Sequence, residues 1–114
     1  MRGNGLLIAA FAPFLGATLY CTVGVEECSL LRPDQRAYVL YSEKRYAEAA
    51  PEFTDPFWRA VALFRDGQFE QAAGAFAGFD SAEGAFNQGN ALVMQGKYLD
   101  AVERYTRALE LRSG

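Results

Sequence analysis

The stretch Tyr98-Leu-Asp-Ala101-Val102-Glu-Arg-Tyr105, running on to Ala108 and Leu109, decides the fold. Its apolar positions fall at i, i+3, i+4, i+7, i+10 and i+11, which is one face of an α-helix. Glu103, Arg104, Arg107 and Glu110 lie off that stripe and are expected to face water. The pattern has two earlier copies, Tyr46-Ala-Glu-Ala49-Ala50-Pro-Glu-Phe53 and Phe69-Glu-Gln-Ala72-Ala73-Gly-Ala-Phe76. The offset is 23 residues from first to second and 29 from second to third. The 23-residue offset also superposes Pro33-Asp-Gln-Arg36-Ala37-Tyr-Val-Leu40 on Pro56-Phe-Trp-Arg59-Ala60-Val-Ala-Leu63, with no gap. Similarity at a fixed offset over this many positions is the mark of a repeat architecture.

Each copy reads as a helix, a tight turn and a second helix. Asp66-Gly67-Gln68 and Gln95-Gly96-Lys97 supply the turns of the later copies, where glycine admits the left-handed conformation that ends a helix. Glu43-Lys44-Arg45 stands there in the first copy, so that turn is expected to be strained or differently shaped. Asp55-Pro56 reads as an N-cap followed by proline in the first turn. Asp80-Ser-Ala-Glu83 reads as a capping box with Asp80 as the cap. Ala37, Ala60 and Gly89 on the first helices face Ala49, Ala72 and Ala101 on the second, small residues where helix axes approach closely. Phe53, Phe76 and Tyr105 fill the space one turn further on. Arg36 and Arg59 share one repeat position and are expected to pair with acidic neighbours.

The third copy, Ala82 to Gly114, resembles a tetratricopeptide repeat. The resemblance rests on Asn87-Gln-Gly89-Asn90-Ala91, on Gly96-Lys-Tyr98-Leu-Asp-Ala101-Val102, and on Tyr105 and Ala108-Leu-Glu-Leu111. It departs from the family pattern at Ala85 (often tryptophan), Gln88 (leucine) and Ser113 (the closing proline). The earlier copies are shorter than the family's period of about 34 residues. In the first, the second helix is expected to be about two turns long and interrupted by Pro51. The resemblance implies an all-α fold, a short α-solenoid of about three helix-turn-helix units. The repeat domain covers residues 30–114, in copies 33–54, 55–80 and 81–114.

A membrane-type segment precedes the repeats. From Leu6 to Val25 there are 20 residues without a charge, after Arg2 and before Glu26 and Glu27. At 1.5 Å per residue this just spans about 30 Å of hydrocarbon. Residues 1–29 therefore read as a transmembrane anchor or a cleaved signal, with a buried helix of a soluble fold as the plainer alternative; a lipoprotein is disfavoured because Tyr20, not a small residue, precedes Cys21. Truncated repeats directly after such a segment, beginning Leu31-Arg-Pro33-Asp-Gln35, resemble the repeat region of Bat (Bacteroides aerotolerance) type proteins. Those carry a von Willebrand factor A-type domain, a transmembrane helix and tetratricopeptide repeats. Neither such a domain nor its metal-binding Asp-x-Ser-x-Ser occurs in this chain, so metal-dependent adhesion does not carry over. The resemblance implies a bacterial inner-membrane protein, single-pass through residues 6–25, with its repeats in the periplasm. Secretion to the periplasm after signal cleavage is the alternative.

Composition narrows the chemistry. The 114 residues are 51% hydrophobic and 22% charged, and 11 Lys and Arg stand against 14 Asp and Glu, a formal charge of −3. That argues against nucleic acid as the partner, which needs a clustered basic face. With no histidine, His-based triads and the commonest zinc ligands are excluded. Cys21 and Cys28 are too few for a metal cage or a disulfide framework. The acid pairs Glu26-Glu27 and Glu48/Glu52 lack a neighbouring nucleophile or cleft, so no enzyme activity, metal or cofactor is expected.

The expected function is protein–protein interaction. In a stack of helix pairs the first helices line the inner face. Helical spacing puts Tyr38 and Tyr41, then Phe57, Val61 and Phe64, then Phe86, Asn90 and Val93 on that face. These residues with Asn87 are the candidate groove for a peptide or helix of an envelope protein. The family resemblance makes Asn90 the better candidate to bond a peptide backbone; its alternative is a bond between helices. Asp34, Tyr38, Phe57 and Trp58 occupy the places where a carboxylate clamp needs cations, so that mode is excluded. Trp58 either anchors a partner or buries itself. No polar capping helix follows the last apolar stripe. Self-association through that helix, or a place within a larger Bat-type protein, is therefore the alternative role.

Overall fold

The computed structural model describes residues 31–113. The expectations for residues 1–30, namely the anchor or signal segment and both cysteines, fall outside the described residues. The rest is all-α: α1 (Pro33–Ser42), α2 (Tyr46–Glu52), α3 (Pro56–Arg65), α4 (Phe69–Phe76), α5 (Ala82–Met94) and α6 (Tyr98–Ser113). Each helix packs mainly on the next along the chain. Among the described residues there is no strand, and no helix is long and apolar enough to cross a membrane.

The turns inside the three helix pairs share one hydrogen-bonding pattern. The N–H groups of Lys44, Gly67 and Gly96 donate to the carbonyls of Tyr41, Phe64 and Val93 at 2.9, 3.0 and 2.9 Å. Those of Arg45, Gln68 and Lys97 donate to Leu40, Leu63 and Leu92 at 2.9, 3.0 and 2.9 Å. Lys44, at φ 63°, takes the left-handed conformation that Gly67 and Gly96 adopt at 81° and 77°. The first turn is therefore the strained alternative, not a different shape. Its lysine accepts a cost of about 1 kcal/mol that glycine avoids.

Helix starts match the expected caps with one correction. The Asp55 carboxylate accepts from the Phe57 N–H at 2.8 Å, with Pro56 opening α3. At α5 the cap is Ser81, not Asp80: its Oγ accepts from the Gly84 N–H at 3.0 Å. Ser81 holds the extended backbone (φ −141°, ψ 158°) directly before the helix, and Asp80 pairs with Arg107 at 3.3 Å.

Small residues set the helix spacing. Ala37, Ala49, Ala60 and Ala72 are completely buried, and Ala101 is nearly so. One core cluster joins Ala37, Leu40, Ala49, Ala50, Phe53 and Ala62; a second joins Ala60, Ala72, Ala73, Phe76 and Ala91. Phe53 and Phe76 are the largest fully buried side chains. The short α2 carries Pro51 in its last turn, and its link to α3 is pinned from α1. Asp34 accepts from the Thr54 N–H at 2.7 Å and from its hydroxyl at 2.5 Å, which holds the Asp34 carboxyl below the ordinary range. Arg36 pairs with Glu52 at 3.0 Å, as its position suggested. Arg59 does not follow it: its guanidinium donates to the backbone carbonyl of Phe53 at 2.7 Å.

Candidate partner-binding groove

The first helices α1, α3 and α5 use one side to pack on their own second helices, through Ala37, Ala60 and Gly89. Residues one position or one turn away are left at the edge of the core, half-buried. Aromatic rings dominate there. Phe57 meets Phe76 and Phe79 edge-on at 5.5 and 5.3 Å, and Phe64 meets Phe69 at 5.2 Å. Trp58 stacks on Phe53 at 6.0 Å and takes the edges of Tyr38 and Tyr41 at 5.4 and 5.8 Å. Such pairs hold ring orientation beyond what burial alone would fix.

Between these helices lies a concavity of about 540 Å³. Tyr41, Phe57, Val61, Phe64 and Asn87, five of the nine residues expected at the groove, line it together. Trp58, Arg65, Phe76 and Glu83 complete the wall. Arg65 also donates to the Tyr41 hydroxyl at 3.2 Å, linking α3 to α1 across the rim. Asn87 donates through its amide nitrogen to the Glu83 carbonyl at 3.0 Å, one turn back in α5. With the amide so oriented, its oxygen remains an acceptor at the wall. The floor is thus apolar, with a cation, an acid and an amide at its margin.

No protein-family model and no curated protein matches this chain.

The other four expected residues lie apart from that hollow. Tyr38 is 47% exposed and leans on Phe53 and Trp58. Phe86 lines a separate apolar hollow between α5 and α6 with Tyr105, Ala108 and Leu109. Asn90 accepts from the Tyr105 hydroxyl at 2.7 Å, the bond between helices that was its alternative reading. Val93 is exposed on the last turns of α5 and lines neither hollow. Arg65 and Glu83 were not singled out in the sequence. Their spacing held the signal, since Arg65 lies one turn after Val61 and Glu83 one turn before Asn87.

The acid pair on α2 is occupied by ion pairs. Arg45 donates to both Glu48 oxygens at 2.9 and 2.6 Å, and this holds the Glu48 carboxyl below its ordinary range. A proton donor at neutral pH needs a shift in the opposite direction. Glu52 is engaged by Arg36. The groove offers shape, apolar surface and hydrogen bonds.

Proposed function

We propose that this chain is a non-catalytic interaction module. Its three helix pairs act as tetratricopeptide-like units of a short solenoid, and the hollow along α1, α3 and α5 receives a peptide or helix of a partner protein. The observation that carries the reading is the shared wall of Tyr41, Phe57, Val61 and Phe64 beside Asn87. An apolar floor with few polar groups at its edge suits a segment with bulky apolar side chains, whose backbone Asn87 can bond. The common turn pattern at Lys44, Gly67 and Gly96 supports the repeat reading. The uncharged Leu6 to Val25 stretch and the Bat-type resemblance support a bacterial envelope location, with partners in the same membrane or the periplasm.

Val61 tests the groove with little risk to the core, because it is only partly buried. Peptides selected from a randomised library on the full chain are expected to be rich in aromatic and branched residues. Val61→Glu is expected to weaken them at least about tenfold, because it puts a charge on the apolar floor that binding would have to desolvate. Glu70→Lys, on the exposed side of α4, is expected to leave affinity unchanged. Equal binding to all three proteins, measured by titration calorimetry, would contradict the groove.

A further inference from the structure

The hollow along α1, α3 and α5 carries a charge at each end, and the two are opposite in sign. Arg65 closes α3 and donates through Nε to the Tyr41 hydroxyl at 3.2 Å, beside the last turn of α1. Glu83 stands in the first turn of α5. That turn lies at the Phe57 end of α3, because Phe79 joins the two. The Phe79 ring meets Phe57 at 5.3 Å, and a Cβ at Gly84 would fall 2.6 Å from the Phe79 Cβ. From Phe57 to Arg65 the helix rises about 12 Å. Phe57, Val61 and Phe64 floor the space between the charges.

Both charges are available to a ligand. Arg65 and Glu83 are the charged residues of the wall, and neither forms an ion pair among the described residues. Asp66, next to Arg65, accepts from Gln68 at 2.6 Å instead. With Nε committed to Tyr41, the terminal nitrogens of Arg65 keep their N–H groups, and the Tyr41 hydroxyl keeps its own proton to donate. A guanidinium beside a phenol O–H suits a carboxylate, which accepts from both. Glu83 at the other end only accepts, so it suits an ammonium or a guanidinium.

We propose, resting on the reading that this groove receives a partner segment, that the segment is an extended stretch with an acidic and a basic residue four positions apart and a bulky apolar residue midway. The spacing follows from the distance. At about 3.3 Å per residue, four residues of extended chain span about 13 Å, and residues i, i+2 and i+4 share one face. The carboxylate meets Arg65 and Tyr41, the apolar side chain enters between Phe57, Val61 and Phe64, and the cation meets Glu83. Asn87 favours extended backbone over helix. Its free amide oxygen needs an N–H, which a helix offers only in its first turn and an extended segment offers along its length. A segment charged with one sign throughout is repelled at one end of the groove.

Selection of a randomised heptapeptide library on the full chain, in neutral detergent at low salt, tests the pattern. The selected peptides should carry the acid–apolar–base spacing, in either chain direction. Arg65→Gln should weaken a selected peptide about fivefold, and should have no effect once the peptide's acid is replaced by glutamine. Glu83→Gln should couple in the same way to the peptide's basic residue and not to its acid. Each charge also suits the dipole of its own helix, so the coupling to the peptide is the readout, not stability. Both couplings should fade in molar salt. Selected peptides lacking the two charges overturn the proposal, as do peptide charges that act independently of Arg65 and Glu83. If Val61→Glu still weakens such peptides, the groove itself stands. Selection of no peptide, or of peptides that bind Val61→Glu equally well, overturns both.

Discussion

Replacing Phe76 with alanine is expected to cost about 3–5 kcal/mol of folding stability. The ring is 1% exposed, sits edge-on to Phe57 at 5.5 Å, and is the one large buried side chain of its cluster. Its buried neighbours there are alanines, Ala60, Ala72, Ala73 and Ala91, whose methyl groups are fixed to helix backbones. They cannot swing inward to refill the space, so most of the cavity should persist. A domain this size has about 5–15 kcal/mol of stability in total, so the loss takes a large share. The melting temperature followed by circular dichroism should fall by more than about 12 °C. A fall of only a few degrees would mean that α3, α4 and α5 do not meet around this ring.

Gly89→Val should be nearly as damaging for the opposite reason, overfilling. A Cβ at Gly89 would lie 2.6 Å from Cε1 and 2.8 Å from Cδ1 of Tyr105. The ring cannot withdraw freely, because Phe86 packs on it at 5.6 Å and its hydroxyl donates to Asn90 at 2.7 Å. Displacing it strains α5 against α6 and breaks that hydrogen bond. The expected loss is about 2–4 kcal/mol, from overpacking plus the hydrogen bond. Gly74 is the internal control, since nothing lies within 4 Å of a Cβ there. Gly74→Val should change stability by less than about 0.5 kcal/mol, removing glycine from a helix at no steric cost. Equal effects in denaturant melts would contradict the close approach of α5 and α6.

The helices and the small residues between them were legible in the sequence because both depend on spacing along one strand of chain. The interval from Ala37 to Ala60, like that from Ala49 to Ala72, survives folding unchanged. What depends on a partner across space was less legible. Asp80 and Ser81 are both good caps, and only the backbone angles at residue 81 give the role to Ser81. Arg59 shares its position with Arg36, yet the nearest acceptor is a backbone carbonyl with no residue identity to read. Lys44 shows that a turn can keep its hydrogen bonds without the glycine that marks it elsewhere.

The candidate groove was legible in part for the same reason. Helical spacing placed eight residues on the inner side of three helices, and Asn87 joined them as a polar neighbour. The crossing of α5 with α6 then separated Phe86 from Phe57 and Phe64, and the Tyr105 hydroxyl engaged Asn90. Asn87, one turn earlier, stays with Val61 and Tyr41. Which asparagine remains at the hollow follows from a residue on another helix, which periodicity alone does not encode.

Hydrogen exchange of the full chain with and without a library-selected peptide tests peptide binding in the groove most directly. The expected result is slowed exchange in α1, α3 and the first turns of α5, with α4 and α6 unchanged. Slowing confined to α4 or α6, or none at saturating peptide, would contradict a groove lined by the first helices.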